Sequence, residues 1–430
     1  MAVLHDAIVA LAAECGIICG ITPAGNVMLF DAKDVTPVTD LGSIGFAQLA
    51  RCFPRAIVEE SLEEAGCPTY RLRELPNDMM TYFPMMMSLQ RGCSLSEVLR
   101  WVLEGQANVF GRRSKNVPGQ GGIANARSRV GWQPLKLLFE KACTPLAQKG
   151  DQHSFFAGRR VLAIDGTLIN VPDSEKNATY FGRSTNQNKQ SGSYPKARIV
   201  ALIECGTHAI VGAEIGCYSG KGEGETTLAK ELLHKLEEND LLLADRLYFG
   251  WDLFTRTANT GAKIVWRVKQ DEVDKLDLKS RLSDGSYLAK YRAPSSERLA
   301  ADGSLSVQDV RVMAYSVPGF KETIYLITTL FDHNEAPAKK LAALYMQRWE
   351  IELVFKEMKI ELNDNEAALR SNSPELVIQE LYGVMLAHYA IRSLIYEAAS
   401  QAKLDPDDLS FVGAVRAVRR KSLQSGSLSP

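Results

Sequence analysis

At 430 residues the chain is long enough for two or three domains, and an apolar content of 46% supplies real cores. A net charge of −1 and a pI near 6.6 argue against a protein that coats nucleic acid by bulk charge. Eight cysteines without a CxxC pair or histidines at zinc spacing argue against a structural zinc site, so reduced, mostly buried thiols are expected.

No apolar run reaches the length of a membrane span, and no Lys or Arg precedes the apolar stretch 7–19, so neither an anchor nor a signal peptide is expected and the chain reads as cytoplasmic. Residues 1–44 carry no readable pattern and stay unassigned. From 45 to 155 the pattern is helical, in the segments FAQLARCF, AIVEESLEEAG, DMMTYFPMMMSLQ and SLSEVLRWVLEGQ, the last with a capping box at Ser94 and Glu97. The methionines Met79, Met80, Met85, Met86 and Met87 read as core filler. VPGQGG at 117–122 breaks the pattern, and one or two basic helices follow. Residues 111–160 hold ten cations, Arg112, Arg113 and Lys115 among them, against the two acids Glu140 and Asp151. That local excess predicts a polyanion bound at a defined place, with Arg127 and Arg129 against phosphates.

At Arg159 the pattern turns to alternating strand and helix, spanning 156–270. RRVLAID reads as a strand covered on both faces and ending at Asp165-Gly166-Thr167. A polar loop with Lys176, Arg183 and Lys189 follows, then two strands joined at Gly206 and Thr207, a helix over 223–238, and the strand LLLADR ending at Asp245. A helix over 251–259 and a strand over 262–269 complete the alternation. Residues 271–331 alternate polar and apolar, with turns at Asp284-Gly285 and Asp302-Gly303, and predict an antiparallel insertion. The segment 332–404 returns to helix, and 405–430 ends in the basic cluster Arg416, Arg419, Arg420 and Lys421.

The most informative helix runs from 341 to 362. At about 100° per residue, Leu344, Ile351, Phe355, Met358 and Leu362 fall on one side of the helix and predict a buried face. Beside them Tyr345, Arg348, Glu352 and Lys359, spaced at offsets of 3, 7 and 14 residues, form a second line. Asp165 and Asp245 each close an apolar strand, where an α/β sheet places its ligands. If the fold brings them to Glu352, the three make an all-oxygen cluster suited to Mg²⁺ or Mn²⁺, and two such ions roughly 3.5–4 Å apart support phosphodiester chemistry. Other chemistries fit less well. The residues 216–222 are one short of a phosphate-binding loop and lack Ser or Thr after Lys221, and the six histidines form no HExxH pair.

The spacing Tyr345-x2-Arg348-x3-Glu352-x6-Lys359, with the Asp165-Gly166-Thr167 and LLLADRLYFG motifs ahead of it, resembles the insertion-sequence-four family of bacterial DDE transposases over about 45–410. The resemblance implies an α/β, ribonuclease-H-like catalytic core with a β-rich insertion, preceded by a helical N-terminal DNA-binding domain. It implies Asp165, Asp245 and Glu352 as metal-binding catalytic acids, with Tyr345, Arg348 and Lys359 holding DNA. The implied reaction is metal-dependent nicking at terminal inverted repeats, then 3′-hydroxyl attack on target double-stranded DNA by a homodimer in a synaptic complex. Some relatives pass through a DNA hairpin, with an aromatic of the insertion stacked on a flipped base; 270–331 has no Trp, which leaves Tyr287, Tyr291, Tyr315 or Phe320. A stand-alone nuclease on the same fold and an inactive repressor bound at DNA ends are the alternatives.

Overall fold

The computed structural model describes residues 20–21, 27–28, 44–69, 74–111, 118–185, 191–220, 222–294, 306–316, 323–363 and 368–423. Arg112, Arg113, Lys115, Lys189, Lys221, Phe320 and the Asp302-Gly303 turn lie outside them. The chain forms two compact units, one of Ala147–Leu168 with Ala197–Val354, the other of the remaining described residues.

The first unit is built on a sheet. The Arg159–Asn170 strand pairs parallel with Asp240–Ala244, which pairs parallel with Lys263–Val268. On its other side lies Ser191–Glu204, in an antiparallel hairpin with Ala209–Cys217. Taken in chain order these strands stand third, second, first, fourth, fifth, the order of a ribonuclease-H-like core. Val161 to Ile164 and Leu241 to Ala244 are buried throughout, as expected of central parallel strands covered on both faces.

Past Lys263–Val268 the sheet continues into the predicted insertion. Thr323–Thr328 pairs antiparallel with it, and Val307–Ser316, Tyr287–Arg292 and Asp277–Arg281 follow as an antiparallel meander. The insertion therefore widens the core sheet. Its Asp284-Gly285 turn is present, with Gly285 at φ +84°, a conformation open to glycine at little cost.

The second unit packs helices around the 29-residue Pro374–Ala402, most of whose residues are buried. That helix lies on Asn77–Leu89, and at Gly383 the backbones are so close that a Cβ would stand 2.6 Å from Pro84 Cβ. The five methionines are core, each at most 2% exposed, and Ser94 caps the Leu95–Phe110 helix by accepting from Glu97 N at 3.2 Å. Two basic helices, Gln120–Val130 and Gln133–Ala142, stand where one or two were expected. Among the described residues no helix is long and apolar enough to cross a membrane.

Three expectations are corrected. The first core strand does not stop at Asp165 but runs on to Asn170. The polar loop after it holds a helix, Glu175–Phe181, capped by Ser174; seven residues are too few to show a helical period. The helix expected over 341–362 is broken into Ala338–Tyr345, a 3₁₀ turn Met346–Trp349, Glu350–Lys356 and a π turn Glu357–Glu361. Its apolar face is buried as expected, from Leu344 at 8% exposed to Ile351 at 0%.

Candidate active site

The two aspartates are brought together by strand register. Parallel pairing runs from Arg160↔Asp240 to Ile164↔Ala244, so the next residues on the two strands are Asp165 and Asp245. Adjacent strands lie about 4.8 Å apart, which makes the two carboxylates neighbours although 80 residues separate them in sequence. Beyond that rung the second strand turns away: Asp245 Oδ1 accepts from Arg246 N at 2.6 Å and its carbonyl from Tyr248 N at 3.1 Å.

Arg348 joins Glu352 to this pair. From the 3₁₀ turn its Nη1 donates to Asp165 Oδ2 and its Nη2 to Glu352 Oε1, each at 3.1 Å, while its guanidinium lies 5.0 Å from the Trp349 ring centre. The side chain is buried, which works against its charge, but Tyr345, Glu352, Asp165 and Asp245 outweigh that and raise its pKa. Asp165 is held by Gly166 N at 2.8 Å and by Arg348. Burial, with Glu225 and Asp245 adding to it, still pushes its carboxyl up to about 6. Two acids and a cation therefore meet in one chain of hydrogen bonds, with Asp245 alongside.

The helix carrying Glu352 is fixed by its neighbours. Glu350 accepts from Gly206 N in the Ser191–Glu204/Ala209–Cys217 turn, and Gln347 Nε2 donates to His153 O at 3.2 Å. Glu352 is itself exposed and borders an open cavity of about 500 Å³ lined by Met346, Gln347, Trp349, Glu350 and Leu353. Met346, Trp349 and Leu353 are each about half exposed, so an apolar strip flanks the acid.

The other residues singled out from sequence fare differently. Tyr345 is 4% exposed and donates its hydroxyl to Ala244 O at 3.3 Å, which makes it a brace for the strand leading to Asp245. Lys359 lies in the second unit, half-buried in the π turn, where burial and then Lys196 lower its pKa. Arg127 and Arg129 are both engaged in packing the helical unit. Arg127 is 3% exposed, with its guanidinium on Gln379 Oε1 at 2.9 Å, Ser371 Oγ at 3.0 Å and Leu376 O. Arg129 holds Asn77 Oδ1 at 2.9 Å and the Leu75 carbonyl. Both tie helices together, and the buried Arg127 presents nothing to a phosphate. Of the C-terminal cluster, Arg419 Nε donates to Leu89 O at 2.6 Å.

Sequence reasoning missed Glu225, which opens the helix Glu225–Glu231 and pairs with Arg198. An acid in a first helical turn is commonplace, so its sequence context carries no alarm. The available signal is Gly166, where a Cβ would stand 2.5 Å from Glu225 Cδ.

The half-buried Asp165 and Asp245 and the exposed Glu352 are oxygen donors of the kind a divalent cation takes, and sharing the single bridging Arg348 guanidinium leaves them short of positive charge. Comparison with known proteins places this arrangement in context. The chain matches the family model for the N-terminal domain of insertion element 4 transposases over residues 43–140. It is 28% identical over 375 residues to the transposase InsG for insertion sequence element IS4 of Escherichia coli K12, covering 87% of this chain and 82% of that one. It is 26% identical over 221 residues to InsZ of the same strain, also named as a transposase, covering 51% and 70%. A piggyBac transposase synaptic complex with hairpin DNA aligns at a TM-score of 0.46 and 13% identity, covering 89% and 82%. The transposase DDE domain model matches residues 156–390, more than half of the sequence, and the chain belongs to the DDE transposase family.

Proposed function

We propose that Asp165, Asp245 and Glu352 are the three catalytic acids of this insertion-element transposase. The observation that supports this most strongly is the strand register that sets Asp165 beside Asp245, with Arg348 reaching from Asp165 to Glu352. DDE transposases use divalent metal ions; here Asp165, Asp245 and Glu352 would hold a pair of Mg²⁺ or Mn²⁺ ions. Bound there, the ions supply an activated water or 3′-hydroxyl and neutralise the departing oxygen.

The chain's own residues do the rest. Glu352, exposed at the rim, meets the incoming phosphodiester, while the half-buried Asp165 lies deeper. Arg348 is charged and sits between two acids, so it supplies a fixed positive group where negative charge develops on phosphate. Tyr345 acts through the Asp245 strand as a positioning residue. Lys359 is a cation for DNA, its ammonium kept partly desolvated. The substrate is the terminal inverted repeat of the element, nicked and then joined through its 3′-hydroxyl to target DNA, with a homodimer pairing two ends.

The test is incubation of the full chain with labelled end DNA and a target plasmid, with and without Mg²⁺. Cuts and insertion products are expected with metal alone, and Glu352→Ala should lose both by at least about 1,000-fold while still binding ends. Cleavage that survives Glu352→Ala overturns the assignment, and cuts without insertions reduce it to a nuclease.

A further inference from the structure

Lys359 sits in a turn of unusual winding. Leu362 N reaches back five residues to Glu357 O at 2.9 Å, the hydrogen bond that makes Glu357–Glu361 a π turn. Such turns are rare and concentrate at functional sites. Each residue of a helix turns the side chains by about 100°, so the extra residue of a π turn re-aims those it carries. What holds this turn therefore decides where Lys359 points.

The grip falls on Glu357, which is 8% exposed and belongs to the same helical unit as Lys359. Arg392 holds its carboxylate with two nitrogens, Nη2 on Oε1 and Nε on Oε2 at 3.1 Å, and His388 Nε2 donates to Oε2 at 2.8 Å. His388 and Arg392 stand four residues apart, on one face of Pro374–Ala402, and both are buried. Phe411, at the start of the Phe411–Leu423 helix, stacks on the His388 ring at 5.1 Å and lies 5.3 Å from the Arg392 guanidinium. Three elements of one unit thus converge on a single carboxylate. A buried ion pair often adds no stability over apolar packing of the same volume. Its two-pronged geometry does fix the rotation of the backbone that bears it. Lys359 benefits from this, because a lysine stem is flexible and loses entropy when its ammonium is held at one phosphate.

We propose that Glu357, Arg392 and His388 are positioning residues that lock the π turn so that Lys359 meets a DNA phosphate, with Phe411 bracing the two partners. This rests on the DNA-binding reading of Lys359.

The affinity of the full chain for labelled end DNA, measured without divalent metal over a range of salt, tests it. Lys359→Ala should flatten the slope of log affinity against log salt by about 0.9, one phosphate contact, so that a fourfold rise in salt weakens the variant about 3.5-fold less. Glu357→Gln keeps the side chain's size and should flatten the slope equally, and the two changes together should do no more than Lys359→Ala alone. A purely structural Glu357 would lower the thermal midpoint and leave the slope as it was. Flattening by Lys359→Ala but not by Glu357→Gln refutes the positioning role and leaves the Lys359 contact standing. An unchanged slope in Lys359→Ala removes the DNA contact itself, and the proposal with it. Should Glu357→Gln fail to fold, Arg392→Lys, which keeps the charge and loses the fork, decides by the same flattening or its absence.

Discussion

Gly166 and Arg127 show how differently single residues of this chain are constrained. Glycine at 166 leaves room for the Glu225 carboxyl, which a methyl group there would displace. Gly166→Ala should therefore cut single-turnover cleavage of end DNA about 10- to 100-fold, an effect of geometry at the site. Unchanged cleavage would show that Glu225 moves aside without consequence. Arg127 has the opposite character. Burial lowers its pKa, and its guanidinium satisfies Gln379, Ser371 and Leu376 O inside the helical unit. Arg127→Ala should cost about 3 kcal/mol in denaturant unfolding, because buried acceptors lose their donor, with DNA affinity per folded molecule unchanged.

At the scale of elements, irregular joints hold the chemistry. The helix bearing Glu352 begins in a 3₁₀ turn and ends in a π turn, and each irregularity is anchored. Glu350 binds the hairpin turn, and within the helical unit the π-turn residue Glu357 is gripped by Arg392 and by His388 at 2.8 Å. The insertion is anchored in a similar way through Asp284, which accepts from Ser286 and from Ala338 N at 2.8 Å and pairs with the fully buried Arg311. Burial alone would raise the Asp284 carboxyl, but those hydrogen bonds and Arg311 outweigh it and hold it at about 2. A depressed pKa of this kind adds stability above the unfolded value near 4 and loses it as pH falls toward 2. Asp284→Asn should lower stability at pH 7 by about 3 kcal/mol and flatten the fall in thermal midpoint between pH 4 and 2. Equal pH profiles for the variant and the unaltered chain would contradict this.

For the molecule as a whole, the core was legible because burial writes itself into sequence. The unbroken apolar runs at 161–164 and 241–244 announce central strands, and the stripe from Leu344 to Leu362 announces a covered face. Alternation between 271 and 331 likewise foretold the antiparallel meander, though not that it joins the core sheet, since edge pairing leaves no mark on the strand that receives it. The break of the long helix was invisible: 3₁₀ and π turns are chosen by contacts such as Glu350 with Gly206, which no local pattern encodes. Charge alone did not reveal that Arg127 and Arg129 also hold packing contacts, which depend on partners far away in sequence. Glu225 stayed hidden because its meaning depends on Gly166, some sixty residues earlier.

The account depends on Asp165, Asp245 and Glu352 sharing one metal site, and anomalous diffraction from crystals of the full chain grown with Mn²⁺ and end DNA tests this most directly. The predicted result is anomalous density within about 2.5 Å of carboxylate oxygens from Asp165 and Asp245, with Glu352 completing the set. Density at other carboxylates, with these three left bare, would contradict it.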